Sequence, residues 1–413
     1  MKIIVQKFGG TSVRDKEARE HAKRHIEAAM KEGYKVVVVV SAMGRKGDPY
    51  ATDTLYSLVN GTDTRLSARE QDALLSCGEV ISSLVFTNML LESDIAACAL
   101  NGTQAGFITN DDHTNAKILK MRCDRLLKEL ESHDVVVVAG FQGAAKTGDV
   151  TTIGRGGSDT SAAALGAALK AEWVDIFTDV EGIMTADPRL TKKARPLSVV
   201  TYNEVCNMAY QGAKVIHPRA VEIAMQAKVP IRIRSTYSSG VGTLVTSITK
   251  PNQGLDVRER LVTGIAHVSD VAQIKVQAKK DRYDVQAEVF KAMANEKISV
   301  DFINISPTGV IYTVAGNTAD RAIEVLEDMG YKPEVERECA KVSVVGAGMT
   351  GVPGVTSKIV TALSEQGVRI LQSADSHTTI WVLVKNEELV TAVNALHDAF
   401  LLHEDHVEYE ENK

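Results

Sequence analysis

The sequence predicts an α/β chain: a mainly parallel central sheet flanked by helices, followed by two ferredoxin-like βαββαβ units. Three observations predict it. Residues 36–40 and 135–139 are runs too apolar for half-exposed strands, as expected of parallel strands buried on both faces. Two glycine-rich stretches, 7–13 and 154–159, each stand between a strand and a helix. Beyond residue 262 the pattern changes, and the order of elements recurs at an offset of about 70 positions, an internal repeat.

The first strand is the apolar run Ile3, Ile4 and Val5. Lys7, Gly9, Gly10, Thr11 and Ser12 follow it, then a helix with Ala18, Ala22, Ile26 and Met30 on one face. Strand, glycine turn, hydroxyl cap and helix together make an anion site, because N–H groups and the positive dipole end point at the ligand. Lys7 adds a mobile positive charge where phosphoryl charge develops. An ordinary turn with a solvated lysine fits this stretch equally well. The valine strand 36–40 runs into Ser41, Ala42, Met43 and Gly44, a loop at the strand end where ligands of open α/β sheets bind. Residues 45–53 read as a polar lid loop.

Residues 67–91 read as a long helix opened by a Ser67–Glu70 capping box, with Leu74, Cys77, Ile81, Leu84 and Val85 as its apolar stripe. Glu79 falls beside that stripe, where a solvated charge is the ordinary reading. A strand is expected at 95–100, a helix at 117–130, a strand at 135–139 and a loop at 140–148. The second glycine turn carries Arg155 and Asp159 into the alanine-rich helix 160–169. Two anion-type turns in one domain favour a phosphate-handling site over coincidence. A strand at 174–177 ends in Thr178 and Asp179, and the loop 182–189 contains the turn signal Asp187-Pro188. Helices at 201–210 and 218–227 flank Lys214, and a strand at 231–234 closes the section.

The Ser/Thr/Gly/Pro-rich stretch 235–252 marks a boundary. The expected domains are 1–240, a linker 241–262, and repeats at 263–335 and 340–413, the last with an edge strand at 407–409. Gly346, Gly348 and Gly351 match the outline of a dinucleotide fingerprint. The remaining chain is too short for a full dinucleotide-binding sheet, and Pro353 displaces the helix start. A loop-plus-helix pocket for a small amino acid fits better.

Composition narrows the classes. The 413 residues are 44% hydrophobic and 24% charged, with a net charge of −6. That is an ordinary globular balance, with no basic surface for nucleic acid or membrane. A signal-peptide pattern is lacking, and no apolar run is read as a membrane span. The five cysteines are scattered and odd in number, which suits reduced thiols in the cytoplasm. His403 and His406 read as a solvated acidic tail, and no metal site is expected.

With these residues in view, the sequence resembles the aspartate kinases along essentially its whole length. The motifs are KFGGTSV (7–13), VVSAMG (39–44), SCGE (76–79), GRGGSD (154–159), TDVEGIMTADPR (178–189) and GAKVIHP (212–218). The repeat resembles the paired ACT domains of that family. The resemblance implies the amino-acid-kinase fold and transfer of the ATP γ-phosphate to the β-carboxylate of L-aspartate, opening lysine, threonine, methionine and diaminopimelate biosynthesis. A carboxylate is already a nucleophile at neutral pH, so the chemistry needs positioning and charge neutralisation rather than a base.

The resemblance also implies roles. Lys7 contacts the transferring phosphoryl group, and Asp159 orients Lys7. Gly9, Gly10, Thr11 and Ser12 cradle phosphate oxygens, with Lys214 a further cation. Arg155, with Gly156 and Ser158 of its turn, takes the aspartate α-carboxylate. Glu79 holds the α-ammonium, and Ser41 and Thr52 help hold substrate. Thr178, Asp179, Met184 and Arg189 line the nucleotide pocket. Mg²⁺ is expected on the ATP phosphates without a protein cage of its own. Feedback by lysine, alone or with threonine, and homo-oligomers through the ACT domains are implied. Some relatives also make a separate small regulatory subunit from an internal start, but no methionine lies between Met225 and Met293 here. A non-catalytic amino-acid sensor and a kinase acting on glutamate are the competing readings.

Overall fold

A run of five valines cannot leave one face in water, and in this computed structural model it lies inside a sheet. The structure describes residues 1–213, 215–247, 261–278, 285–349 and 351–404. Within them the chain forms two units. One comprises Met1–Ile183, Pro196–Ala209 and Lys214–Val257, the other Met184–Arg195, Tyr210–Ala213 and Arg258–Lys413.

The first part of the chain runs β1 (Ile3–Phe8), α1 (Gly10–Val13), α2 (Lys16–Lys31), β2 (Lys35–Val40), α3 (Thr52–Ser57), α4 (Ala68–Glu92), β3 (Ala97–Leu100) and α5 (Gly102–Ala105). It continues with β4 (Phe107–Thr109), β5 (Ile118–Met121), α6 (Asp124–Ser132), β6 (Val135–Ala139), β7 (Gln142–Ala144), β8 (Val150–Thr152) and α7 (Gly157–Leu169). β9 (Val174–Thr178), β10 (Val199–Thr201), α8 (Tyr202–Tyr210), α9 (Pro218–Ala227), β11 (Ile231–Ser235) and β12 (Thr243–Thr246) complete it. The main sheet has the order β10-β12-β11-β9-β1-β2-β6-β3. From β11 to β3 all neighbours are parallel, so the carboxyl ends of β1, β2, β6, β9 and β11 share one rim. β1 is buried throughout, as are Val36 to Val40 and all of β6.

Several expectations change. Residues 117–130 form β5 and then α6, because β4 offers an antiparallel partner and Arg122 N–H bonds back to the Gly106 carbonyl at 2.9 Å. The expected loop 140–148 contains β7, which pairs with β8 in a four-stranded sheet of order β5-β4-β7-β8. β12 lies within the expected linker yet pairs with β11 and β10, so the first sheet runs past residue 240. The lid loop 45–53 ends in α3, whose first residue is Thr52.

α4 departs most. Its capping box is present, but its buried face holds Asp72, Ser76, Gly78, Glu79, Ser82, Ser83, Phe86 and Leu90. The predicted apolar stripe is split: Leu84 and Cys77 are exposed, while Ile81 and Val85 pack against the core. Small residues permit the close approach, since a Cβ on Gly78 would lie 2.8 Å from the Ala42 Cβ. By length and composition alone α4 is apolar enough to cross a membrane, contrary to the sequence reading. Here its buried polar residues face the fold.

The second unit contains β13 (Gly264–Gln277), α10 (Val285–Asn295), β14 (Asp301–Ser306), β15 (Gly309–Ala315), α11 (Ala319–Asp328), β16 (Glu334–Val345), α12 (Val355–Glu365), β17 (Gln372–Asp375), β18 (Thr379–Lys385) and α13 (Leu389–Ala399). One antiparallel sheet, β14-β15-β13-β16-β18-β17, holds both repeats. β13 and β16 are long enough to serve twice. The later half of β13 opens the first repeat beside β15, and its earlier half, Gly264 to Val268, pairs with Lys341 to Val345 as the outer strand of the second. β16 does the reverse, closing the first repeat and opening the second beside β18. A bulge between Val268 and Val271 separates the halves of β13. The edge strand expected at 407–409 lies outside the described residues.

Each repeat has its own core. Ile274, Val289, Tyr312 and Leu326 anchor the first, and Val342, Ile359, Leu363 and Val393 the second. Leu363 is fully buried. Leu363→Ala should destabilise the second unit by about 2–5 kcal/mol in chemical denaturation, and a loss under about 0.5 kcal/mol would contradict this packing.

Candidate active site

The rim begins at Lys7, whose side chain is folded back and buried, 9% exposed. Its Nζ lies 2.7 Å from Asp159 Oδ1. Asp159 stands in the first turn of α7, so the pair joins the two glycine turns. The first turn is tighter than the sequence implied. α1 is one helical turn, capped by the Gly9 backbone with no side-chain cap, and the long helix begins only at Lys16 with Asp15 as its cap. Ser12 instead bonds the Thr236 hydroxyl at 2.6 Å, and Tyr237 donates to the Thr11 carbonyl at 3.2 Å. Gly10 is required sterically: a Cβ there would lie 2.5 Å from the Gly44 carbonyl oxygen.

The second turn is built the same way. Gly156 caps α7 in the left-handed region (φ 66°), and a Cβ on it would meet the His217 ring at 2.2 Å. Ser158 bonds Ser41, at the end of β2, at 2.8 Å. Arg155 is exposed and makes no hydrogen bond or ion pair among the described residues. Two helix starts, a buried lysine and a free guanidinium therefore converge from the ends of β1, β2 and β8. That arrangement accepts anions.

Glu79 is the buried counter-charge. It is 2% exposed, and Oε1 accepts the Ala42 N–H at 3.1 Å. Oε2 has no hydrogen-bond partner among the described residues, and burial pushes the carboxyl up to about 8 despite the backbone hydrogen bonds that oppose it. A carboxylate held this way is prepared for a cation that arrives with a ligand.

On the far side of β1, Thr178 bonds Asp179 at 3.1 Å, and Asp179 pairs with Arg45 at 2.9 Å. Arg45 was not singled out in the sequence; its loop was. Thr236 and Tyr237, which brace the first turn from the end of β11, were also missed, because a Ser-Thr-Tyr run in a boundary segment carries no local signal. Met184 and Arg189 belong to the second unit, where Arg189 is exposed and paired with Asp187 at 2.7 Å. Lys214 lies outside the described residues.

Comparison with known proteins identifies the family. The model of the amino acid kinase family matches residues 2–235, and an ACT domain model matches 334–398. Aspartokinase 1 of Bacillus subtilis is 69% identical over 402 residues, covering 97% of this chain and 100% of that protein. The crystal structure of E. coli aspartokinase III in complex with aspartate and ADP is 27% identical, covers 97% of this chain and 100% of that one, and has a TM-score of 0.76. The same enzyme in complex with lysine and aspartate matches with a TM-score of 0.76 over 96% of this chain and 99% of that one. On identity that runs nearly end to end, the chain belongs to the aspartokinases, ATP-dependent kinases of the amino acid kinase family with C-terminal ACT domains.

Proposed function

We propose the following division of labour for the aspartokinase reaction, transfer of the ATP γ-phosphoryl group to the β-carboxylate of L-aspartate. The observation that carries it is the buried Lys7–Asp159 pair where the two glycine turns meet. Lys7 neutralises charge on the transferring phosphoryl group, with Asp159 fixing its direction. Gly9, Gly10, Thr11 and Ser12 cradle phosphate oxygens. Arg155, with Gly156 and Ser158, takes the α-carboxylate, and Glu79 takes the α-ammonium. Ser41 and Thr52 border the substrate. Thr178 and Asp179, with Met184, Arg189 and Lys214, serve the nucleotide. ATP enters with Mg²⁺, which keeps mostly phosphate and water oxygens and needs no cage of side chains. Five free thiols suit a reducing cytoplasm.

Lysine, alone or with threonine, is the feedback inhibitor in this reading, supported by the lysine complex of E. coli aspartokinase III. A cleft of about 530 Å³ beside α12 offers an apolar wall (Met349, Val355, Ile380) and polar groups (Thr356, Asp375, Ser376) that suit a small amino acid. It uses the glycine loop that imitates a dinucleotide motif. The segment 184–195, which carries Met184 and Arg189, is fixed to α13: Thr185 bonds His397 at 2.9 Å, and Lys193 pairs with Asp398 at 2.7 Å. Self-association would cover the exposed Ile303 and Ile305 of edge strand β14.

A hydroxamate-trapping assay with ATP, Mg²⁺ and a panel of acidic amino acids tests the roles. Lys7→Ala should lower turnover on aspartate by at least about 10³-fold in a folded protein; near-normal turnover would refute its role. Product from glutamate but not aspartate would favour the related kinase. Loss of signal with added lysine is expected, and indifference to lysine and threonine would refute the feedback reading.

Glu79 predicts a pH dependence. Its carboxyl must ionise to receive the ammonium, so aspartate binding should release a proton. KM for aspartate should fall roughly tenfold per unit as pH rises toward about 8, then level off. Glu79→Gln should remove that slope, and a flat wild-type profile would contradict the assignment. Stability runs the opposite way. A raised carboxyl favours the native state below its unfolded value, and that advantage is lost as pH rises through about 8.

A further inference from the structure

We propose that Asp72 is a positioning residue for aspartate binding, tying the helix that carries Glu79 to the turn that carries Arg155. The proposal builds on the roles given above to Glu79 and Arg155.

Asp72 is fully buried. Oδ1 accepts the Thr152 hydroxyl at 2.5 Å, both oxygens accept Thr114 N–H at 3.1 and 3.0 Å, and Oδ2 meets His113 Nδ1 at 2.8 Å. Every partner lies off α4. Asp72 precedes Glu79 by seven residues, two helical turns, so both stand on the buried face.

The other end of the tie leads to Arg155. Thr152 is the last residue of β8, three before Arg155. Its carbonyl accepts Ala116 N–H at 2.9 Å. Arg219 clamps the two strands of chain together, donating to the Ile153 carbonyl at 2.8 Å and the Ala116 carbonyl at 2.9 Å. A Cβ on Gly154 would lie 2.7 Å from Asn115 Oδ1, so the turn sits directly on this loop. Residues 113–116 and 152–155 thus form one block, and Asp72 joins that block to α4.

Packing alone does not call for a carboxylate here. Burying one costs several kcal/mol unless donors surround it, and this one is fully supplied. What the charge provides is a directional link among three segments. The α-ammonium and α-carboxylate of an amino acid are held at a short fixed separation, so their two receptors must be held at a matching one. A misplacement of about 1 Å can cost on the order of 10² in rate.

Asp72→Asn and Thr152→Val each weaken the tie with little change of volume, the first by removing the charge and the second by removing the Thr152 hydroxyl bond. Kinetics with aspartate and ATP varied separately, together with thermal unfolding, test the proposal. Both variants should raise KM for aspartate at least about tenfold, leave KM for ATP within about twofold, and combine with no further loss. Thr152→Val keeps the test open if Asp72→Asn does not fold. Equal changes in both KM values, or a lowered Tm with unchanged KM for aspartate, would overturn it in favour of a structural role. Glu79→Gln and Arg155→Ala run in parallel. If they raise KM for aspartate while the Asp72 and Thr152 variants do not, the positioning role alone fails. If all four leave it unchanged, the substrate assignment fails as well.

Discussion

The Lys7–Asp159 ion pair is the contact on which the site depends. It connects the end of the central strand to the first turn of α7, and thereby sets one glycine turn against the other. A charge at 9% exposure must be paired or lost. Pairing leaves the lysine charged and aimed, but within reach of a third, more negative group. The parallel sheet makes this possible, because strands that all run one way deliver their ends to a single rim. No general base is needed on that rim, since the acceptor is a carboxylate.

Glu79 is the complement of that pair. One side of the rim is rich in N–H groups and cations, while on the other the Glu79 carboxyl of α4 accepts the Ala42 N–H. Apart from Asp72, it shares the buried face of α4 mainly with small and apolar residues. The serine and glycine positions of α4 bring the helix near enough for Glu79 to reach Ala42. In the proposed role of Glu79, substrate recognition and helix packing are the same problem at this position.

The sequence was most informative where burial is extreme. Valine runs imply two covered faces, and β2 and β6 are covered on both. Residue types at the glycine turns pointed to anions, and the structure brings Lys7 to Asp159 and Ser41 to Ser158. Local periodicity failed on α4 because small and polar residues take much of its buried face, while Cys77 and Leu84 of the expected stripe are exposed. It failed at 117–130 and 140–148 because short strands are chosen by their partners rather than by their own residues. The repeat was visible as an order of elements. The sharing of β13 and β16 was not, since a long strand serving two units differs from two strands only through its pairing. Met184 and Arg189 lie in the same motif as Asp179, yet they fold with the second unit.

A double-mutant cycle on turnover tests most directly whether Lys7 and Asp159 act as one device. Single-turnover rates would be measured for Lys7→Ala, Asp159→Asn and the pair. If Asp159 works through Lys7, the double variant should be no slower than Lys7→Ala alone. Losses that simply multiply would show two independent contributions and contradict this account of the site.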